Sequence, residues 1–570
     1  MTRNEIIFLL CVVAAVAGGI ALVPTRPPAP AAGLSLEQWD AATDDRSKCV
    51  TLSWLGPPIM PGAKKGTWIE RRLEKAFNVD LRGIFLDGAA FGQNRPLMFM
   101  SGDVPDVVWD GDPLPFRRNV DQGFVMELPY EVLLKHAPQY VKMINTYCPK
   151  AWLYTYYRGR NYGVPTLAAS DIYPPAMAWR KDWLDNVAIA KVPDTLDEMH
   201  EAFYRFRHND PDRNGKKDTY AFCPGAHWSI AFIDVFAAFN VLPQDFVERD
   251  GRVVWGGVTP EARQALAVLR QWYAEELIDP DYIAANSFTD LSIDRFKNGR
   301  TGYITYVDDR QCDSAYPHSL FADLLELNAI RRKNGQENTV AQLVPAAPPR
   351  GIDGKRRYRF WGGPAHSIWF GQHMAKTPEK VLRTLHMFEE LCKPANGRLF
   401  VESRIGEEGT HWKWDARQGV VPLYPYSETG QDARNLLAFW GLENAYGFYS
   451  FSSAPLEVTN PYLPASIKEF RAKYRRTEYG LMNAIGKSDV VDSAGRNLDD
   501  LRQLQTEVYT DIIRGKRPLD DFDTFVEQWK QRGGDLLTRE ANELYAIMGD
   551  IYRQVGATAA TQPATREARP

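Results

Sequence analysis

The chain has 570 residues, enough for two to four domains, and its 44% apolar and 25% charged residues are typical of a soluble globular protein. The formal net charge of −4 argues against a nucleic-acid partner, because a polyphosphate backbone usually requires a strongly basic surface. Trp (16 residues) and Tyr (26) are plentiful, and although most aromatic side chains serve the core, a surplus of Trp is also typical of platforms for sugar rings.

Residues 1–33 have the composition of an export segment. The short basic start Met1–Glu5 precedes an uncharged apolar run, Ile6–Val23, and a Pro/Ala-rich stretch, Pro24–Gly33. This order predicts either a cleaved signal peptide or an uncleaved membrane anchor followed by a linker, and the sequence does not decide between them. In both cases the remaining chain is expected outside the cytoplasm, in the periplasm or at the cell surface. An uncleaved segment would hold it to the membrane.

Five cysteines follow the export segment and are scattered widely: Cys49, Cys148, Cys223, Cys312 and Cys392. Without a C-x-x-C pair or a Cys/His cluster, a zinc site is not expected. Buried thiols are the favoured interpretation, and one disulfide remains open because the compartment is oxidising.

The first folded elements alternate between strands and a helix. Hydrophobic runs predict strands over Val50–Trp54, Val79–Leu86 and Asp106–Trp109. Between the first two strands, Thr67 has the position of a helix N-cap, with Glu70 three residues later. This order predicts the beginning of a parallel α/β structure.

The same pattern returns further along the chain. Helices are predicted to begin after Thr195, after Thr259 and after Thr377, and the last two have Pro at their first position. A buried strand is predicted over Thr301–Val307, and the last long helices over Asn497–Arg514 and Arg539–Gln554. We therefore expect two α/β lobes joined by crossing segments, which together form a hinge.

The predicted lobes are discontinuous in sequence. The N-terminal lobe is expected to contain residues 45–165 and about 300–360, and the C-terminal lobe residues 166–299 and about 361–555. The tail, residues 556–570, is rich in Ala, Thr and Pro and is expected to be disordered.

An ordered series of segments resembles the extracellular solute-binding proteins of family 1, especially the long branch that binds oligosaccharides and alginate. The segments are SGDVPDVVW (Ser101–Trp109), GRNYGVP (Gly159–Pro165), WRKDWLD (Trp179–Asp185), VPDTLDEM (Val192–Met199), DPDRNGKKDTYAF (Asp210–Phe222), ELIDPDY (Glu276–Tyr282), FKNGRTGYI (Phe296–Ile304), KTPEKVL (Lys376–Leu382) and GEEGTHW (Gly406–Trp412). Each match is weak alone, and their common order makes chance similarity improbable. The family's usual lipobox is absent from the N-terminal segment.

This resemblance implies a two-lobed α/β clamp of the type II periplasmic-binding-protein class, with a ligand in the cleft between the lobes. Such proteins work as monomers that close on the ligand and then dock on an ABC permease in the membrane. They perform no chemistry on the ligand, which here is expected to be a carbohydrate or oligosaccharide.

A loop of alternating oxygen-bearing residues predicts a structural calcium ion. In the pattern D-x-D-x-N-G-x-x-D, the ligands would be the side chains of Asp210, Asp212, Asn214 and Asp218 and the carbonyl oxygen of Lys216. Position twelve is Ala221 instead of Glu, so the loop is not a complete EF-hand. The resembling alginate-binding proteins carry calcium at the corresponding loop. The alternative is an Asn/Asp/Gly turn without metal.

Tryptophans at predicted strand ends and turns are the main ligand candidates, since ligands of open α/β sheets lie beyond the carboxyl ends of the strands. They are Trp54, Trp109, Trp228, Trp361 and Trp440, with Asp110, Arg180 and Arg310 as weaker candidates for polar contacts. Core packing is the alternative for each Trp, and an ordinary ion pair is the alternative for each charged residue.

Motifs of catalysis are missing from the sequence. It contains no G-x-S-x-G, H-E-x-x-H or P-loop, and the adjacent acids Glu407 and Glu408 point in different directions from one backbone segment. We therefore expect a non-catalytic substrate-binding protein of an ABC importer. A secreted or anchored polysaccharide-active enzyme and a ligand sensor for a membrane receptor remain the alternatives.

Overall fold

The computed structural model describes residues 33–557, apart from 57–65, 87–90, 168–171, 225–227, 229, 285–289, 310, 313–318, 337–339, 362–363, 417–418 and 424–455. Arg310, Trp440, the apolar N-terminal run and most of the tail lie outside the described residues. Within the described part of the chain, no helix is both long enough and apolar enough to cross a membrane. No disulfide joins the five cysteines of that part.

The strands are short. They are β1 (Val50–Leu55), β2 (Val79–Ile84), β3 (Val107–Asp110), β4 (Tyr156–Tyr157), β5 (Arg160–Asn161), β6 (Val164–Leu167), β7 (Ala176–Arg180), β8 (Tyr220–Phe222), β9 (Phe246–Arg249), β10 (Arg252–Trp255), β11 (Thr301–Val307), β12 (Leu343–Ala346), β13 (Tyr358–Arg359), β14 (Pro364–Phe370), β15 (Trp412–Asp415), β16 (Gly419–Pro422) and β17 (Gly480–Leu481).

The helices surround the sheets. They are α1 (Leu36–Ala41), α2 (Trp68–Phe77), α3 (Phe91–Met100), α4 (Pro113–Asp121), α5 (Tyr130–His136), α6 (Pro138–Tyr147), α7 (Trp152–Thr155), α8 (Lys181–Asn186), α9 (Leu196–His208), α10 (Ile233–Ala238), α11 (Pro260–Ala274), α12 (Asp290–Lys297), α13 (Leu320–Lys333), α14 (Pro378–Cys392), α15 (Gly397–Ile405), α16 (Leu456–Thr459), α17 (Ala465–Tyr474), α18 (Ala494–Ile513), α19 (Asp521–Trp529) and α20 (Asp535–Gln554).

The first lobe is built on a five-stranded sheet with the order β2-β1-β3-β14-β6. Strand β1 pairs in parallel with β2 and β3, as the sequence predicts, whereas β14 runs antiparallel to β3 and β6. The side chain of Thr67 accepts a hydrogen bond from the backbone N–H of Glu70 and caps α2. Its neighbours Ile69 and Leu73 are buried, so the predicted amphipathic helix is confirmed.

The second lobe contains a four-stranded sheet with the order β12-β7-β11-β8. Strand β11 pairs with β7 and β8, so the prediction that residues 300–360 return to the first lobe is wrong for β11 and β12. Gly302 explains part of this placement, because a Cβ there would lie 2.5 Å from the rings of Phe206 and Trp183. The chain returns to the first sheet later, at β14, which corrects the boundary predicted at residue 361.

Crossing segments connect the two lobes between Leu167 and Ala176, between Ala346 and Pro364, and again before α17. Near the first crossing, Asp309 forms buried ion pairs with Arg471 and Arg475. Arg475 also donates hydrogen bonds to the carbonyl oxygens of Tyr173 and Pro174, both at 2.9 Å. The structure is therefore a two-lobed α/β clamp with a hinge, the predicted fold class.

The C-terminal helices complete the second lobe. Within α18, Gln505 accepts a hydrogen bond of 2.8 Å from the indole N–H of Trp255 and donates one of 2.6 Å to the carbonyl oxygen of Pro243. The rings of Trp255 and Trp529 stack with centroids 5.7 Å apart, which joins α19 to β10. This packing places the beginning of α18 beside the cleft between the lobes.

Candidate functional site

A cavity of about 560 Å³ lies between the two lobes, at the carboxyl end of β3. We call it the interlobe cavity. It is lined from the first lobe by Asp112 and Tyr154, and otherwise by Trp228, Gln244, Asp245, Arg359, Phe360, Trp361, Asn483, Gly486, Lys487, Ser488, Asp489, Asp499, Arg502, Gln503 and Thr506. This mixture of flat aromatic rings and hydrogen-bonding side chains is typical of a small-molecule site.

Two of the predicted tryptophans line this cavity. Trp228 is half-buried and packs against Phe232 and Tyr509, with both pairs of ring centroids 5.9 Å apart. The Arg359 guanidinium lies over the ring of Trp361 at 4.0 Å. Both indoles are therefore held by neighbouring side chains, and a ligand would meet fixed aromatic surfaces.

A buried ion pair fixes the wall beside Trp361. Arg359 pairs with Asp245, and both side chains are less than a tenth exposed. The Asp245 carboxylate also accepts hydrogen bonds from the side-chain amide of Asn483 at 2.9 Å and from the hydroxyl of Ser488 at 3.4 Å. This network joins the segment before α18 to the loop before β9 and to strand β13.

Lys487 connects the two lobes across the edge of the cavity. Its Nζ donates to the carbonyl oxygen of Gly111 at 3.1 Å and to the Asp112 carboxylate at 3.3 Å. The ammonium also lies 5.1 Å from the ring centroid of Tyr154. A contact of this kind depends on the separation of the lobes, because its partners belong to the first lobe.

Asp489 and Arg502 form a looser pair in the same wall. Their nearest charged atoms are 3.7 Å apart, beyond hydrogen-bond distance. Burial raises the pKa of Asp489, and the Arg502 guanidinium opposes that rise. The Arg502 side chain is 31% exposed, so its guanidinium can donate to a ligand in the cavity.

Trp109, another predicted ligand residue, does not line the cavity. Its ring packs against Phe91 and, with centroids 4.6 Å apart, against His366. Burial, assisted by the nearby Lys487 ammonium, lowers the pKa of His366 to about 4, so the imidazole is neutral at physiological pH. A direct contact between Trp109 and a ligand therefore stays a prediction.

Three predicted ligand contacts are wrong because their side chains are committed elsewhere. Trp54 is fully buried and packs edge-on against Phe388 in the core of the first lobe. Asp110 is buried and binds Arg95 at 3.0 Å, Asn119 at 3.3 Å and Trp369 at 3.2 Å. Arg180 is buried in the second lobe, where it forms an ion pair with Asp182 at 2.5 Å.

The sequence analysis missed all the charged residues that line the cavity: Asp112, Asp245, Arg359, Lys487, Asp489, Asp499 and Arg502. One available signal was the polar run Gly486–Asp489, which separates two structured segments without apolar periodicity. The two members of an ion pair in this cavity lie far apart in the chain, as Lys487 and Asp112 do. A local sequence pattern therefore does not predict the contact between them.

A larger cavity of about 1460 Å³ shares Phe360 with the interlobe cavity. It is lined mainly by the end of α6, by α17 and by Tyr545 and Tyr552 of α20. We place the candidate site in the smaller cavity, because only that one adjoins the carboxyl end of β3 and contains predicted tryptophans.

The predicted calcium loop is folded around the side chain of Asn214. The Asn214 amide donates to Asp212 at 2.8 Å and to Asp218 at 3.2 Å, and Asp210 accepts the backbone N–H groups of Asn214 and Gly215 at 3.0 and 2.9 Å. The side-chain oxygen of Asn214 accepts the N–H of Lys216. In the ranges described, no group of three or more His, Cys, Asp or Glu side chains is arranged to hold a metal ion.

Asp212 is the carboxylate of this loop whose pKa is shifted. Burial, together with the neighbouring carboxylates Asp210 and Asp218, raises the pKa of Asp212 to about 6. One of its carboxylate oxygens is buried without a hydrogen-bond partner. Such a carboxylate is short of positive charge, which a hard cation such as Ca²⁺ would supply.

The fold and the interlobe cavity together define a ligand-binding clamp, a class in which the site lies between two hinged lobes. Residues 62–306 match the sequence model of a family described as bacterial extracellular solute-binding protein. Over this region, and in its two-lobed fold, the chain is similar to that family of extracellular binding proteins.

Two curated relatives from Bacillus subtilis (strain 168) extend the similarity beyond the matched region. The lipoprotein LipO is 23% identical over 83% of this chain and 88% of its own length. The polygalacturonan/rhamnogalacturonan-binding protein YtcQ is 20% identical over 87% of this chain and 91% of its own length.

A solved structure confirms the fold. The alginate-binding protein AlgQ2, in a crystal structure without calcium ion, has a TM-score of 0.56 and 17% sequence identity. The similarity covers 88% of this chain and 97% of that chain, so both lobes and the crossing segments are included.

Proposed function

We propose that this chain is the substrate-binding protein of an ABC importer and captures a saccharide in the interlobe cavity. The observation that carries the proposal is the pair of tryptophans, Trp228 and Trp361, which line one cavity together with amide, hydroxyl and charged side chains. An indole face packs against the apolar C–H face of a sugar ring while the polar groups bind its hydroxyls. YtcQ and AlgQ2 bind polysaccharides, which supports this ligand class.

The same cavity favours capture over hydrolysis. A glycosidase requires two carboxyl groups on opposite sides of the scissile bond, one of them protonated. Of the four cavity carboxylates, Asp112, Asp245 and Asp489 each have a cationic partner, Lys487, Arg359 and Arg502 respectively. An ion pair favours the charged form of each carboxylate, which opposes a role as the protonated acid of a glycosidase. We therefore propose that the ligand is released unchanged.

Two further parts of the proposal concern calcium and location. We propose that Ca²⁺ binds the loop Asp210–Asp218, because Asp212 has an unpartnered buried oxygen and a raised pKa. Its role would be structural, since the loop lies outside the interlobe cavity. The N-terminal segment, residues 1–33, would hold the clamp at the membrane near a permease, and the relative LipO is a lipoprotein.

The experiment is isothermal titration calorimetry with a panel of oligosaccharides, peptides and amines. We expect at least one oligosaccharide to bind, and Trp361→Ala to weaken that binding by about 1–3 kcal/mol. Trp414→Ala is the matched control, because Trp414 is 39% exposed and does not line the cavity. Binding of a peptide or amine, with every saccharide silent, would reject the proposed ligand class.

A further inference from the structure

The lining of the interlobe cavity has an excess of negative charge. Its described residues include four carboxylates and three cations. The carboxylates are Asp112, Asp245, Asp489 and Asp499, and the cations are Arg359, Lys487 and Arg502. What the cavity offers a ligand depends on which of these charges already neutralise each other.

Two of the three cations already have an anionic partner and further contacts. Arg359 is paired with Asp245 inside the wall and covers one face of Trp361. Lys487 uses its ammonium for the carbonyl oxygen of Gly111 and the carboxylate of Asp112. A ligand carboxylate could bind either cation only in competition with its existing anionic partner. At Arg359 this would leave the buried Asp245 carboxylate without compensation.

The third cation, Arg502, already faces a carboxylate. Asp489 lies 3.7 Å from it and is only partly exposed, so the pair is neutral overall. The exposed part of the Arg502 guanidinium can still donate a hydrogen bond, which suits a hydroxyl oxygen. Asp499, the fourth carboxylate, is exposed, and no cation of the described residues lies within ion-pair distance of it.

From this charge distribution we infer that the interlobe cavity selects uncharged saccharides over saccharides built from uronic acids. The inference rests on the proposed function and narrows its ligand class. A sugar hydroxyl can donate to Asp489 or Asp499 and accept from Arg502. A uronate carboxylate would add a further anion beside these acids, and every cation that the described residues place in the lining already faces a carboxylate. The resulting repulsion disfavours the acidic ligand.

The ligand inferred for this chain differs in charge from the ligands that are named for two similar proteins. Polygalacturonan and alginate, named for YtcQ and AlgQ2, are polyuronates. A shared fold does not fix the charge of the ligand, because specificity resides in the side chains of the site.

The test compares matched pairs of oligosaccharides that differ mainly in oxidation at C6. Tetramers of galactose and of galacturonate, and tetramers of mannose and of mannuronate, are titrated by calorimetry in a buffer of low ionic strength, where charge effects are largest. We expect the neutral member of one pair to bind at least tenfold more tightly than its uronate counterpart. Added salt should reduce this ratio by screening the repulsion.

A substitution at the unpaired acid sharpens the comparison. Asp499→Asn removes the excess negative charge and should raise the affinity for the uronate member severalfold, with a smaller effect on the neutral member. Asp500→Asn is the matched control, since Asp500 is the next residue of α18, is also exposed and does not line the cavity.

Two outcomes would overturn the inference, and they differ in what they leave standing. If a uronate binds as tightly as its neutral counterpart or more tightly, the charge argument fails and saccharide binding survives. If no saccharide of either kind binds and a peptide does, the proposed function fails together with the inference.

Discussion

His366 lies beside the interlobe cavity, and its buried imidazole makes stability depend on pH. Its pKa is lowered from 6.5 to about 4, mainly by burial. The unfolded chain therefore binds this proton at a higher pH than the folded chain does. The stabilising contribution is fully present above pH 6.5 and is lost as pH falls from 6.5 to about 4, by an amount of about 3 kcal/mol.

The measurement is the free energy of unfolding in urea at pH values from 7.5 to 4, for the natural chain and for His366→Phe. Phenylalanine keeps a ring against Trp109 and does not titrate. We expect the difference between the two chains to change through this range, with the natural chain losing more stability at acid pH. A constant difference would mean that His366 is not buried as a neutral side chain.

A local sequence signal places a tryptophan at the end of a strand, but it does not say whether that side chain is buried. Trp228 and Trp361 line the cavity, whereas Trp54, which also ends a predicted strand, is in the core. Alternation along β1 indicates which side chains share a face, but it does not show what covers that face. Here Phe388 of α14, more than 300 residues further along the chain, covers Trp54.

At the scale of single elements, the loop Asp210–Asp218 should respond to calcium. We expect millimolar Ca²⁺ to raise the melting temperature and a chelator to lower it, because a ligand that binds only the folded state stabilises that state. At a concentration 100 times the dissociation constant, the gain would be about 2.7 kcal/mol.

Asp212→Ala should abolish the response to Ca²⁺, since it removes the carboxylate with the raised pKa. Asp523→Ala is a suitable control, because Asp523 is an exposed acid in the first turn of α19. Identical melting curves with calcium and with chelator would show that the loop is an ordinary turn held by Asn214.

The ion-pair cluster at the first crossing segment carries another prediction. Asp309→Asn leaves the buried guanidinium groups of Arg471 and Arg475 without their anionic partner. We expect a loss of about 3–5 kcal/mol in the free energy of unfolding, measured in urea. Asp308→Asn, at the neighbouring position, keeps an oxygen acceptor for the N–H of Gln311 and should change stability by less than about 1 kcal/mol. Equal effects of the two substitutions would contradict the assigned role of Asp309.

Helix starts and the parallel arrangement of β1, β2 and β3 were predictable, because N-caps and short hydrophobic runs are local patterns. The lobe to which β11 belongs was not. Its sequence, Thr301–Val307, is apolar enough to be buried in either sheet. Where it lies, Gly302 fits closely against the rings of Phe206 and Trp183. Those partners lie about a hundred residues earlier in the chain.

At the scale of the whole molecule, the contacts between the lobes make closure measurable. Lys487 reaches Gly111 and Asp112 at the edge of the cavity, and Arg117 of α4 pairs with Asp492 at 2.8 Å, just before α18. These pairs hold only while the lobes are close together. Ligand favours closure to the extent that it binds the closed state more tightly than the open state.

The two-lobed class was predictable from the order of strands and helices and from the resemblance of short segments. The composition of the cleft was not, since it assembles residues from both lobes, a crossing segment and the C-terminal helices. Asp112 and Arg502, for example, line one cavity from opposite ends of the sequence. Only the folded chain shows this convergence.

Small-angle X-ray scattering, combined with recovery of the ligand, tests the central claim most directly. The clamp is titrated with the tightest-binding oligosaccharide, its radius of gyration is measured, and the saccharide is then recovered by denaturation and analysed by mass spectrometry. We expect the radius of gyration to decrease on binding and the saccharide to be intact after prolonged incubation. Cleaved saccharide, with cleavage abolished by substitution of one cavity carboxylate such as Asp489, would contradict a binding protein and establish an enzyme.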